Sequence, residues 1–263
     1  MKIKTLLALA GLVLLGGLIW RQGFNAAETP ADTLPLLAAF PLYLWLTLPR
    51  KWRKEPATRP PVTAWVGLGL LVLGALADWS LLLALGWVAM LDAFQGHFVE
   101  KMPRRFLVLP LLGFPWVTQN LASVGWVFRY TGAAAVQAAF TAMGVEVHRE
   151  GTLLLIRNLP LSVEPACAGL NVLQSMLIVG CLMVCMRVPA GKFFWLCIAA
   201  LVPLAWIANT ARIFMLGCAG LVCGADFARG WFHQWGGWLV LCLMFLLCER
   251  LFTLFAARRK LAR

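Results

Sequence analysis

Charge is scarce in this chain. Asp, Glu, Lys and Arg make up only 13% of its 263 residues, 62% are apolar, and mean hydropathy is +0.82. Soluble domains run at about 45–50% apolar and about 25% charged. So few polar groups cannot cover a surface in water, which excludes a soluble globule and makes a lipid bilayer the expected solvent. CxxC pairs are missing too, as are metal-like Cys/His clusters, a nucleotide-binding loop and a haem motif. No cofactor or metal is therefore implied. There are also no internal repeats or low-complexity runs.

What charge there is leans to one sign, a net +12. The basic residues form short clusters between apolar runs, not a stripe across a polar domain. That arrangement is a membrane-topology signal and argues against nucleic acid as a partner. Crossing a bilayer takes about 20 mainly apolar residues. The candidates are Leu6–Ile19, Leu34–Leu48, Val62–Ala77, Ser80–Leu91, Phe106–Thr118, Leu170–Met186, Phe193–Ala208 and Gly236–Phe255. Lys2 and Lys4 before the first run resemble a secretory signal. Trp20, Arg21 and Gln22 follow it in place of a small-residue cleavage site, so a retained anchor is expected.

With the N-terminus in the cytoplasm, sixteen Lys/Arg fall inside and six outside, Arg250 lying within the last span, which satisfies the positive-inside rule. The outer six are Arg21, Arg129, Arg149, Arg157, Arg212 and Arg229. The arrangement requires Ile213–Cys223 either to dip in and return or to belong to a longer bent helix. The expected fold is thus an all-α polytopic membrane protein of about eight transmembrane helices, one of them re-entrant or bent. It forms a single integral-membrane domain, 1–263, with N-terminal helical spans in 1–120 and a second half in 121–263. Residues 121–166 are expected outside the cytoplasm. There Thr131–Met143 reads as an interfacial helix. Short β-favouring pieces then follow, divided by a Gly151 turn and an Asn158–Pro160 turn. They predict a hairpin or three-stranded ribbon leading into Cys167.

Seven of the eight cysteines sit in apolar spans, where Cys acts as a small hydrophobe in helix packing. Cys167 differs: it follows a polar ribbon and opens the helix Leu170–Met186. A thiol at a helix N-terminus feels the positive end of the helix dipole, which favours thiolate. Gly169 beside it permits close backbone approach by a ligand. The plainer account is a cysteine in a capping region. Arg212 is a charge set in apolar sequence, a functional-site signal by default, with snorkelling to the interface as its ordinary alternative. His233 stands in WFHQWGGW at the outer mouth of the last span, where an aromatic-belt histidine is the ordinary reading. His97 falls in an expected cytoplasmic loop and His148 in the ribbon as a solvated residue. Cys167, Arg212 and His233 come to the same side of the membrane. A thiol nucleophile, an imidazole to shuttle protons and a guanidinium to hold an oxyanion are a complete set for acyl transfer.

These segments resemble the exosortase/archaeosortase family. The likeness runs through VHREGTLLLIRNLPLSVEPACAGL, NTAR with Arg212, and FHQWGG with His233. The family commonly shows Cys-Ser-Gly where this chain has Cys167-Ala168-Gly169, keeping the nucleophile and the glycine. The N-terminal half is similar only as a set of spans. The resemblance implies that 121–263 is the catalytic half of a cysteine transpeptidase in the bacterial inner membrane, with its active site facing the periplasm. Its substrates would be secreted proteins carrying a C-terminal sorting signal: a short motif such as Pro-Glu-Pro, a hydrophobic helix and a basic tail. Water, a lipid or a polysaccharide would be the acceptor. Cys167, Arg212 and His233 would be catalytic, with Asn209 orienting Arg212.

Other readings remain open on sequence alone. A membrane thiol–disulfide oxidoreductase needs a second extracytoplasmic cysteine. A transporter, or a non-catalytic assembly protein, would use Arg212 to bind an anionic ligand.

Overall fold

Apolar runs in a bilayer become helices because every backbone N–H and C=O must find a partner within its own segment. The computed structural model describes residues 3–24, 30–48, 51–55, 61–100, 103–157, 159–163 and 170–261. The chain divides into two compact units, Met1–Asn120 and Leu121–Arg263.

In the first unit α1 (Ile3–Phe24), α2 (Pro30–Thr47), α3 (Val62–Leu76) and α4 (Ser80–Phe98) are the long helices. α3 and α4 form a hairpin whose turn passes through Asp78 at φ 48°. Small residues let their backbones approach: a Cβ on Gly67 would lie 3.0 Å from the Gly86 carbonyl oxygen, and one on Gly74 would lie 2.8 Å from the Leu83 nitrogen. Trp87 on α4 donates to the Leu12 carbonyl on α1 at 2.9 Å. Phe40, Trp87 and Phe114 then pack edge to face.

The expected span Phe106–Thr118 is not one helix. A 3-10 turn, Arg104–Leu107, leads into α5 (Val108–Leu112), and a turn at Gly113–Pro115 separates it from α6 (Trp116–Asn120). Pro110 and Pro115 explain the break. Proline lacks the N–H that an ongoing helix needs; Pro110 stands in the first turn of α5 and Pro115 just before α6, positions where that loss costs least. Conversely, α4 runs on to Phe98, so His97 lies in its last turn and not in a loop.

The second unit opens with α7 (Ala122–Ala142), which starts about two turns before the expected Thr131. A three-stranded antiparallel meander follows: β1 (Val147–Glu150), β2 (Leu153–Ile156) and β3 (Leu159–Ser162). This is the expected ribbon, with Pro160 inside β3, opposite Leu155, and not in a turn. Then come α8 (Leu170–Arg187), α9 (Lys192–Cys223), the single turn α10 (Ala225–Phe227) and α11 (His233–Leu261). Gly224, at φ 90°, closes α9, and a wide turn over Ala228–Phe232 is kinked at Gly230.

α9 resolves the fate of Ile213–Cys223. It is the second half of one 32-residue helix that continues through Pro203, Asn209 and Arg212. At about 1.5 Å per residue such a helix exceeds the roughly 30 Å hydrocarbon layer. Ile3–Arg21, Ser80–Phe98, Lys192–Cys223 and Trp235–Phe255 are long and apolar enough to cross alone, and Ala38–Thr47, Val62–Leu76 and Val172–Arg187 are shorter apolar helices. The protein is therefore a multi-pass membrane protein, although the described residues do not reach about eight full spans.

Candidate active site

The ribbon's inner face builds the floor of the site. Leu154, Ile156, Leu161 and Val163 are buried against Ala133, Val136 and Phe140 of α7 and Ile213 of α9. Glycines allow the close approach. A Cβ on Gly132 would lie 3.3 Å from Thr210 Oγ1, one on Gly217 would lie 2.8 Å from the Phe140 ring, and one on Gly220 would run into Leu159 Cδ2. These contacts advance together along α7 and α9, so the two helices run parallel with the ribbon laid over both.

Where β3 ends over α9, a small cleft opens, bordered by Ser162, Val163, Asn209, Arg212 and Leu216. Asn209 is fully buried, yet among the described residues neither its Nδ2 nor its Oδ1 has a hydrogen-bond partner. Burying an amide unsatisfied costs about 1–3 kcal/mol. Arg212 is partly buried, and its guanidinium lies against the backbone of α11. A Cβ on Gly237 would fall 2.8 Å from Arg212 Nε and 3.1 Å from its Cζ.

The structure thus brings Asn209 and Arg212 into one cleft and sets Arg212 against α11 four residues after His233, the first residue of that helix. Cys167 and Gly169 lie outside the described residues. In the sequence Cys167 follows Val163, at the cleft, by four positions and precedes Leu170, the start of α8, by three. Sequence reading had not picked out Ser162, Val163 or Gly237. The Gly236-Gly237 pair in WFHQWGGW was an available signal for Gly237, since a glycine within a helix often marks close approach by another group.

Cys181, Cys185, Cys197 and Cys248 are buried, as expected of packing cysteines. Cys223, at the end of α9, and Cys242 are exposed, so for these two the expectation of burial was wrong. On the exterior of α11, a Cys242 thiol facing lipid tails is no worse placed than one facing leucines. His148 is exposed, 3.6 Å from Glu150. Among the described residues no three His, Cys, Asp or Glu come together in a way that could hold a metal.

A multi-pass membrane helix bundle with a small cleft, holding Asn209 and Arg212, beneath a ribbon is the class these features define. The chain belongs to the transmembrane exosortase family (Exosortase_EpsH), whose model matches residues 30–249. No curated protein and no solved structure gave a match.

Proposed function

We propose that this chain is a cysteine transpeptidase that removes C-terminal sorting signals of the Pro-Glu-Pro type from secreted proteins. It would act at the outer face of the bacterial inner membrane. One observation supports the reading: the cleft bordered by Val163, four residues before Cys167, also holds Arg212, whose guanidinium lies against Gly237, four residues after His233. Family membership supports it independently.

In this scheme the Cys167 thiolate attacks the scissile carbonyl carbon, forming the C–S bond of a tetrahedral intermediate. Arg212 holds the oxyanion, a role worth several kcal/mol when a fixed donor meets charge that develops only in the transition state. The C–N bond then breaks, and His233 gives its proton to the departing amine, leaving a thioester on Cys167. An acceptor (water, a lipid or a polysaccharide hydroxyl) surrenders its proton to His233 and displaces the thiolate. The substrate's hydrophobic helix lies among the spans and its basic tail stays on the cytoplasmic side.

The test is processing of a co-expressed secreted protein bearing such a tail, by wild type and by Cys167→Ala, Arg212→Ala and His233→Ala. Removal of the tail by wild type alone is the expected result, and mass spectrometry of the new C-terminus identifies the acceptor. Wild-type processing by Cys167→Ala would sink the scheme.

A further inference from the structure

β3 is an edge strand, and its open side faces outward at the cleft. The ladder fixes which groups lie on that side. The Val163 N–H donates to the Thr152 carbonyl at 3.2 Å, and the register pairs Leu161 with Leu154 and Leu159 with Ile156. Bonding alternates along an antiparallel strand. Leu159, Leu161 and Val163 therefore bond to β2, while Pro160 and Ser162 turn their main-chain groups the other way. Proline, which has no N–H, is tolerated at an outward position of this kind. That leaves Ser162 with both an N–H and a C=O on the open edge. Pro160 and Ser162 are exposed, and among the described residues neither outward group is hydrogen-bonded.

A second observation meets the first. Asn209, fully buried on α9, offers a donor and an acceptor with no partner among the described residues, in the cleft that Ser162 borders. An unpaired donor and acceptor on one planar amide are the complement of a peptide unit. Edge and amide therefore ask for the same ligand.

We propose that the β3 edge and Asn209 together bind an extended polypeptide. The bound segment adds as a fourth, antiparallel strand, exchanging two main-chain bonds with Ser162, while Asn209 pairs with the next peptide group. Resting on the transpeptidase reading, the occupant is the substrate segment that flanks the scissile bond. Main-chain recognition holds that segment straight across the cleft and leaves its side chains to set specificity. Arg212, one helical turn from Asn209, then lies beside the carbonyl next in line.

The test uses full-length protein in proteoliposomes and a purified secreted protein carrying a Pro-Glu-Pro tail, with KM and kcat read for tail removal. Ser162→Pro deletes the one outward N–H and no ladder bond, as Pro160 already does two residues earlier. It should raise KM about tenfold, the upper end for one hydrogen bond. Asn209→Leu fills the same space with no polar atoms. It should keep or raise the melting temperature and still raise KM by a similar factor. If Ser162→Pro melts below wild type, Asn209→Leu decides. Wild-type KM in both folded variants, with Cys167→Ala inactive, overturns the docking mode and leaves the transpeptidase standing. A wild-type enzyme that removes no tail overturns both. A change in oligomeric state on Ser162→Pro with KM unchanged would give the edge to a second copy of the chain and also overturn the proposal.

Discussion

Arg212 and Gly237 touch across two helices: the guanidinium lies where a side chain on Gly237 would have to go, 2.8 Å from Nε. Arginine is long and flexible, so a methyl group at 237 is accommodated by moving the guanidinium and not the backbone. Gly237→Ala should therefore leave stability within about 0.5 kcal/mol of wild type, since no core contact is lost. It should nonetheless cut processing at least about tenfold, because a donor misplaced by an ångström no longer meets the oxyanion. If the glycine acts through Arg212, adding Gly237→Ala to Arg212→Ala should bring no further loss. Additive losses in that double variant would show that Gly237 matters for another reason.

The ribbon is fastened to α9 by contacts that leave no room for a side chain. A Cβ on Gly217 would meet the Phe140 ring at 2.8 Å and Ile156 Cδ1 at 2.9 Å. Both are fully buried, and Phe140 also packs on Phe214 at 4.9 Å. Gly217→Val should cost roughly 1–3 kcal/mol by overpacking, read as a lower melting temperature in detergent. Processing should fall with it, because Val163 and Ser162 border the cleft through the same sheet. Unchanged melting would mean that the ribbon is not held by this packing.

Arg187, at the end of α8, pairs with Glu249 on α11 at 2.5 Å, and both side chains are partly exposed. A pair of this kind is worth at most about 1 kcal/mol. Arg187→Ala and Glu249→Ala should each shift stability by less than that, and the charge-reversed double variant should recover the loss. Processing should stay near wild type throughout, since neither residue borders the cleft. A large loss of processing in either single variant would point to a role in catalysis that the cleft does not explain.

Composition made the membrane solvent legible, because 13% charge leaves no other surface possible. β-favouring pieces and turn residues marked the ribbon, and NTAR and WFHQWGGW marked the two helices that carry Arg212 and Gly237. The path of the chain between polar residues was less legible. Asn209, Thr210 and Arg212 depress local hydropathy and look like a span's end, but none of them breaks a helix, and α9 runs through them. Phe106–Thr118 misleads the other way, being apolar enough to read as a span while the chain turns at Gly113–Pro115 between two five-residue helices. Hydropathy reports the solvent of a segment and not its continuity as one helix, and the two diverged at these places. Contacts such as Arg212 on Gly237 are tertiary, and no local pattern encodes the partner.

The nucleophile and the topology can be tested together through thiol access. Of the eight cysteines, Cys181, Cys185, Cys197 and Cys248 are buried, Cys218 is partly buried against the ribbon core, and Cys242 lies on the apolar exterior of α11. A charged maleimide that cannot cross the bilayer should not reach these six. Cys223, exposed at the end of α9, is the competing target. In a Cys223→Ala background, the reagent added from the periplasmic side of spheroplasts should attach once and stop tail removal. Attachment should vanish when Cys167→Ala is added. Reagent trapped on the cytoplasmic side of inverted vesicles tests the other orientation. Labelling only from that side would reverse the proposed topology, and full modification of Cys167 without loss of processing would remove it as the nucleophile. Protection by a saturating tail peptide completes the argument, because a reactive thiol away from the cleft would label equally fast with and without it.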